Sequence, residues 1–134
     1  MTKSNPSRNE VVVVANCVEI KLIDGIVHVT YLDGAEISVE VKRQMSVVYQ
    51  ELTGGVKHPF LLRSKGKLWY TREAREFARE IEHKQPFLAN AMVAESLGFR
   101  LLADFYGRIY KPEIPYKVFK TEEEAIEWLK TFLQ

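Results

Sequence analysis

The sequence predicts an α/β fold, a five-stranded mixed sheet with four helices in the order β-β-α-β-α-β-α-β-α. Three observations carry that expectation. Two runs rich in β-branched residues, joined by Asp24-Gly25, open the chain. Amphipathic segments of helical period then alternate with short apolar runs. Each break between them holds residues that end regular structure: Gly54-Gly55, Pro86 and Lys111-Pro112. Strands separated by helices pair in parallel through right-handed crossovers, so the sheet is expected to be parallel except at its opening hairpin.

The elements follow in order. Residues 1–9 (MTKSNPSRN) are polar and aperiodic, and are expected to form a flexible tail ahead of a single domain over 10–134. Val11 to Val14, then Val18, Ile20 and Leu22, read as one strand or as a short strand leading into a second. Asp24-Gly25 suits the positive φ angles of a tight hairpin turn, and Ile26 to Tyr31 supplies the partner strand. The first helix starts at Ser38, a good N-cap, and presents Val41, Met45, Val48 and Leu52 on one face. Phe60-Leu61-Leu62 is a buried strand. Thr71 caps the second helix, whose inward stripe is Ala74, Phe77, Ala78 and Ile81. Leu88 to Ala94 form the next strand, Ser96 opens a third helix ending at Tyr110, and Pro115 restricts the entry to a last strand through Val118. Thr121-Glu122-Glu123-Glu124 is a capping box in which the hydroxyl and the Glu124 carboxylate each take a free backbone N–H. Behind it, Ala125, Trp128, Leu129 and Phe132 form the final stripe.

Composition narrows the function. With 46% hydrophobic residues in 134, the chain can build one core. Nineteen basic and eighteen acidic residues leave a net charge of +1, which provides no global attraction for nucleic acid or an anionic membrane. No apolar run approaches the roughly 18 residues of a membrane span, and the start shows no secretory leader. With the single Cys17, these features point to a cytoplasmic protein without disulfides.

No catalytic, cofactor-binding or metal-binding constellation is expected. His28, His58 and His83 are scattered without a second ligand at helical spacing, and one cysteine cannot build a thiolate zinc site. The glycines match no nucleotide loop. Two surfaces stand out instead. The loop Arg63-Ser64-Lys65-Gly66-Lys67 precedes the second helix, where α/β folds place ligands, and Arg72 and Arg75 put cations at the helix end that disfavours them. The third helix is apolar on two lines, Leu101 and Phe105 on one, and Phe99, Leu102, Tyr106 and Ile109 on the other. Such a helix is either enclosed or makes a second contact. The expected contact is a homodimer or another protein, held by Phe99, Leu102, Tyr106 or Ile109. Ile126 and Leu133, off the stripe of the last helix, lend that reading further weight.

The order of elements over about residues 11–133 resembles the STAS domain, the fold of bacterial anti-sigma-factor antagonists. A narrower resemblance, to small STAS-like bacterial proteins, is carried by TREAREFA at 71–78, Tyr110-Lys111-Pro112 and IPYKVFKTEEEAIEWL at 114–129. In the antagonists, a serine in an Asp-Ser-(Ser/Thr)-Gly motif at the start of the second helix is phosphorylated. Here Glu73 falls about where that serine would be and Ala74 where the glycine would be, so the motif is absent. The resemblance implies a non-catalytic protein-interaction or regulatory module. Its partner would meet Arg63, Ser64, Lys65, Lys67, Thr71, Arg72 and Glu73. The alternative is a carrier of a small apolar ligand or lipid, related to CRAL-TRIO-like domains. A deep apolar cavity favours the carrier, and a flat exposed surface favours the module.

Overall fold

The structure, a computed structural model, describes residues 10–133, apart from the side chains of Tyr106 and Tyr110. The expected tail at 1–9 lies outside the described residues, as does the Tyr106 side chain. In chain order the elements are β1 (Val12–Val14), β2 (Val18–Ile23), β3 (Ile26–Tyr31), β4 (Ala35–Ile37), α1 (Val39–Thr53), β5 (His58–Ser64), β6 (Leu68–Tyr70), α2 (Arg72–Ile81), β7 (Phe87–Val93), α3 (Leu97–Tyr110), β8 (Tyr116–Phe119) and α4 (Glu122–Lys130). A 3₁₀ turn, Glu82–Lys84, follows α2.

The main sheet runs β1-β2-β3-β5-β7-β8, six strands where five were expected. The extra strand comes from the opening run, which folds back on itself with Val14 opposite Val18. Its turn passes through Ala15 and Asn16, both at positive φ. Alanine is not a residue that announces such a turn. Asp24 and Gly25 make the second hairpin at positive φ, as their chemistry requires. From β3 onward every pairing in the main sheet is parallel. A second, two-stranded parallel sheet joins β4 to β6, with Ile37 opposite Tyr70.

The parallel strands advance across the sheet in sequence order without reversal. Right-handed crossovers therefore place α1, α2 and α3 over one face, and α4 closes the other. The first core joins Val27, Val29 and Phe60 to Met45, Val48 and Tyr49 of α1. The second joins Ile26, Leu61, Ala89, Ala91 and Val93 to Ala125 and Leu129 of α4. Ile126 and Leu133 pack against this second core, so they are not spare association surface.

The caps behave as their side chains dictate. Ser38, Thr71, Ser96 and Thr121 each accept an N–H three residues on. Gly54 ends α1 in the left-handed conformation. In the α4 box the Glu124 carboxylate accepts from the Thr121 hydroxyl at 3.2 Å, in place of the expected backbone N–H.

Candidate functional site

Three helices span one face of the sheet, but they do not close over it. α2 buries only Ala74 of its four-residue stripe, leaving Phe77, Ala78 and Ile81 half-exposed. α3 is drawn to the edge strand β8, where Ala103 is buried and the Tyr116 hydroxyl reaches the Ala103 carbonyl at 3.5 Å. A Cβ on Gly107 would lie 2.9 Å from the Tyr116 ring, so a small residue is what permits this approach. Between the two helices lies a groove of about 850 Å³. Its floor includes Leu62, Asn90, Met92 and Tyr116, and its walls include Ala78 of α2 and Phe99, Leu102 and Ala103 of α3. Strand register explains the floor: Phe60 pairs with Asn90 and Asn90 with Tyr116, while Leu62 pairs with Met92.

Two polar groups in this groove lack hydrogen-bond partners among the described residues. Lys42 of α1 is only 7% exposed, and no ion pair or hydrogen bond reaches its ammonium. Its Nζ sits 5.7 Å from the centroid of the Tyr49 ring, within range of a cation–π attraction. Burial lowers the Lys42 pKa from 10.5 to about 8. Burial also holds the Tyr49 hydroxyl protonated well above its ordinary range, with Tyr70 adding to the effect. Asn90 presents a buried Oδ1 with no partner. Around them the Tyr31 and Tyr70 hydroxyls bond each other at 2.6 Å, and Arg75 donates to the Tyr70 carbonyl at 2.8 Å. The sequence reading did not single out Lys42 or Asn90. For Lys42 a signal existed, because it stands three residues before Met45 and seven before Tyr49, on the buried side of α1.

The residues expected around the basic loop are divided between settings. Arg63 and Ser64 end β5 instead of starting a loop. The Arg63 side chain pairs with Glu122 of α4 and donates to the Thr30 hydroxyl at 3.0 Å. Ser64 donates to the Gly66 carbonyl. The backbone N–H of Lys65 binds the Tyr31 carbonyl, and that of Lys67 binds Asp33 at 2.9 Å. Thr71 is the α2 cap, Glu73 lies in the first turn of α2, and Arg72 pairs with Glu76 across one turn. The two arginines at this helix start therefore have local partners, Arg72 a carboxylate and Arg75 a carbonyl.

The third helix answers the question its sequence posed. Leu97, Leu101, Leu102, Phe105 and Ile109 are all between 58% and 63% exposed, so α3 is not enclosed. Phe99 is half-buried and lines the groove. Arg100 turns back to the Ala94 and Glu95 carbonyls.

Among the described residues the histidines and the cysteine do not gather into a cluster. His28 is buried on β3, and burial, reinforced by Arg63 and Lys21, lowers its pKa to about 4. The His58 Nδ1 bonds the Val56 carbonyl at 2.7 Å, and His83 lies in the 3₁₀ turn. Burial raises the Cys17 thiol pKa. Among the described residues no three His, Cys, Asp or Glu side chains gather as a metal site, and no helix is long and apolar enough to cross a membrane.

Comparison with known proteins agrees with this architecture. A family model described as a domain of unknown function (DUF7793) matches residues 19–133. The fold is similar to the crystal structure of an uncharacterized protein from the DUF3478 family, with a SpoIIAA-like fold, from Shewanella loihica PV-4. That similarity has a TM-score of 0.59 at 13% identity and covers 96% of this chain and 99% of that one. The fold is thus SpoIIAA-like, the STAS-like arrangement the order of elements implies. A search of curated proteins returned no match.

Proposed function

The chain belongs to the DUF7793 family, and on that premise we propose that it is a non-catalytic association module of SpoIIAA-like fold whose α3 helix pairs with a second copy. One observation carries this reading: the row Leu97, Leu101, Leu102, Phe105 and Ile109, each more than half exposed on one helix. Leaving a leucine or phenylalanine in water forgoes about 1.5–3 kcal/mol relative to full burial, so covering the row on two copies supplies a strong driving force. An apolar row of this kind marks an interaction surface. Asp104 and Arg108 are both exposed and cancel in charge, so like copies meet no electrostatic barrier there. The same proposal places the protein in the cytoplasm, in keeping with a lone cysteine and balanced charge.

Sedimentation velocity over a wide concentration range tests the pairing. The wild type should sediment as a dimer. Leu101→Glu and Phe105→Glu should sediment as folded monomers with the wild-type circular dichroism, because both positions are solvated in the single chain. Their urea midpoints should fall short of the wild type's only by the concentration-dependent stability that pairing adds. A wild type that stays monomeric at every concentration overturns self-pairing. The groove supports the second reading, a small-ligand carrier, and is compatible with the first, since Leu102 alone of the row lines it while Leu97, Leu101, Phe105 and Ile109 do not.

A further inference from the structure

We infer that the groove between α2 and α3 is a binding site for a monoanionic amphipath, a carboxylic acid with an apolar body, whose carboxylate is received by Lys42. The inference does not depend on whether α3 pairs. Its first support is the Lys42 ammonium, which lines the groove at 7% exposure, with the Tyr49 ring beside it and no hydrogen-bond or ion-pair partner among the described residues. A buried charge without a partner is costly, and proteins keep one where something else completes it. The second support is independent: Asn90 carries an orphaned, buried Oδ1 on the groove floor. That acceptor suits a hydroxyl borne on the body of the ligand.

The walls decide the rest of the chemistry. Leu62, Phe87, Met92, Phe99 and Leu102 form an apolar lining, and a groove of about 850 Å³ falls in the range that holds a small organic molecule. The anion should carry a single charge. Besides Lys42, the groove is lined by Arg75, Arg79 and Lys111 against Glu76, Glu80, Glu82 and Glu113, charges that nearly cancel and leave one buried ammonium to be neutralised, while Arg75 is engaged with the Tyr70 carbonyl. A carboxylate, with one charge, matches the single Lys42 ammonium better than a phosphate ester, which carries close to two.

Isothermal titration of the full chain with decanoate, decan-1-ol and decyl phosphate is the test. The wild type should bind decanoate about tenfold or more tightly than decan-1-ol, and decyl phosphate less tightly than decanoate. Lys42→Met should bind the acid and the alcohol alike, while its melting temperature does not fall. Equal wild-type affinities, a preference for decyl phosphate, an acid preference surviving in Lys42→Met, or no binding of any probe would each overturn the assignment. A measurement on the wild type needs no variant: carbon-detected NMR of the lysine side chains should show decanoate, but not decan-1-ol, moving the Lys42 titration to higher pH. A titration indifferent to decanoate refutes the site even if Lys42→Met fails to fold.

Discussion

Replacing Lys42 with methionine should stabilise the protein at neutral pH, and the gain should shrink as pH rises. Methionine has nearly the length of the lysine stem and no charge to desolvate. Burial takes the Lys42 pKa from 10.5 to about 8, and at about 1.4 kcal/mol per unit the folded state carries a penalty of about 3 kcal/mol while the group is charged. Methionine also forfeits the attraction of Nζ to the Tyr49 ring, worth about 0.5–2 kcal/mol. The net gain at pH 7 is then about 1–3 kcal/mol. The sign follows from proton counts. Below pH 8 both states hold the proton and the penalty is complete. Between pH 8 and 10.5 the unfolded chain keeps a proton that the folded chain has released, so wild-type stability climbs with pH. Tyr31, Tyr49, Tyr70, Arg75 and Glu76 line the same groove in both proteins, so the difference between the two stability curves isolates Lys42. Urea denaturation at several pH values measures it. A difference that stays constant from pH 7 to 10.5 would refute the reasoning, as would a methionine variant less stable at every pH.

Two further outcomes follow from packing and charge. His28, with its pKa lowered from 6.5 to about 4, should cost stability as pH falls through that window, because the unfolded chain takes up a proton that the folded chain refuses. The loss is at most about 3 kcal/mol. His28→Gln should flatten the acid slope, and an imidazole NMR titration near pH 6.5 in the folded wild type would contradict the burial argument. Gly66→Ala should destabilise by about 1–2 kcal/mol, the cost of a lost hydrogen bond. A Cβ there would collide with Asp33 Oδ1 and dislodge the carboxylate that accepts the Lys67 N–H. Denaturant melts that match the wild type would show that Asp33 holds its grip from another rotamer.

What was legible in the sequence is what local chemistry decides. Ser38, Thr71, Ser96 and Thr121 cap the helices they were expected to cap, and Asp24-Gly25 turns the hairpin. Elements whose existence depends on a distant partner were not legible. β4 and β6 are three residues each, and Leu68-Trp69-Tyr70 becomes a strand only because Ala35-Glu36-Ile37 lies beside it. The groove escaped for the same reason. It exists because α2 buries so little of its stripe and because Gly107 lets α3 approach Tyr116, neither of which a periodicity reports. The excess apolar surface of α3 was visible in its residues, but which side faces water is decided by Ala103 and Gly107 against β8.

The small β4–β6 sheet has a mechanical consequence. It zips together the segments that enter α1 and α2, and the Thr71 N–H adds a 3.0 Å bond to the Ile37 carbonyl beyond the last rung. The two caps, Ser38 and Thr71, are thereby pinned side by side, and the helix starts cannot part without unzipping that ladder. Any breathing of α2 must therefore pivot about its beginning, like a door hung on one jamb, with its free edge at Ile81 and the 3₁₀ turn behind it. Ser46 and Gln85 bond across to each other near that edge, at 2.8 Å from the amide nitrogen to the hydroxyl, and act as the latch.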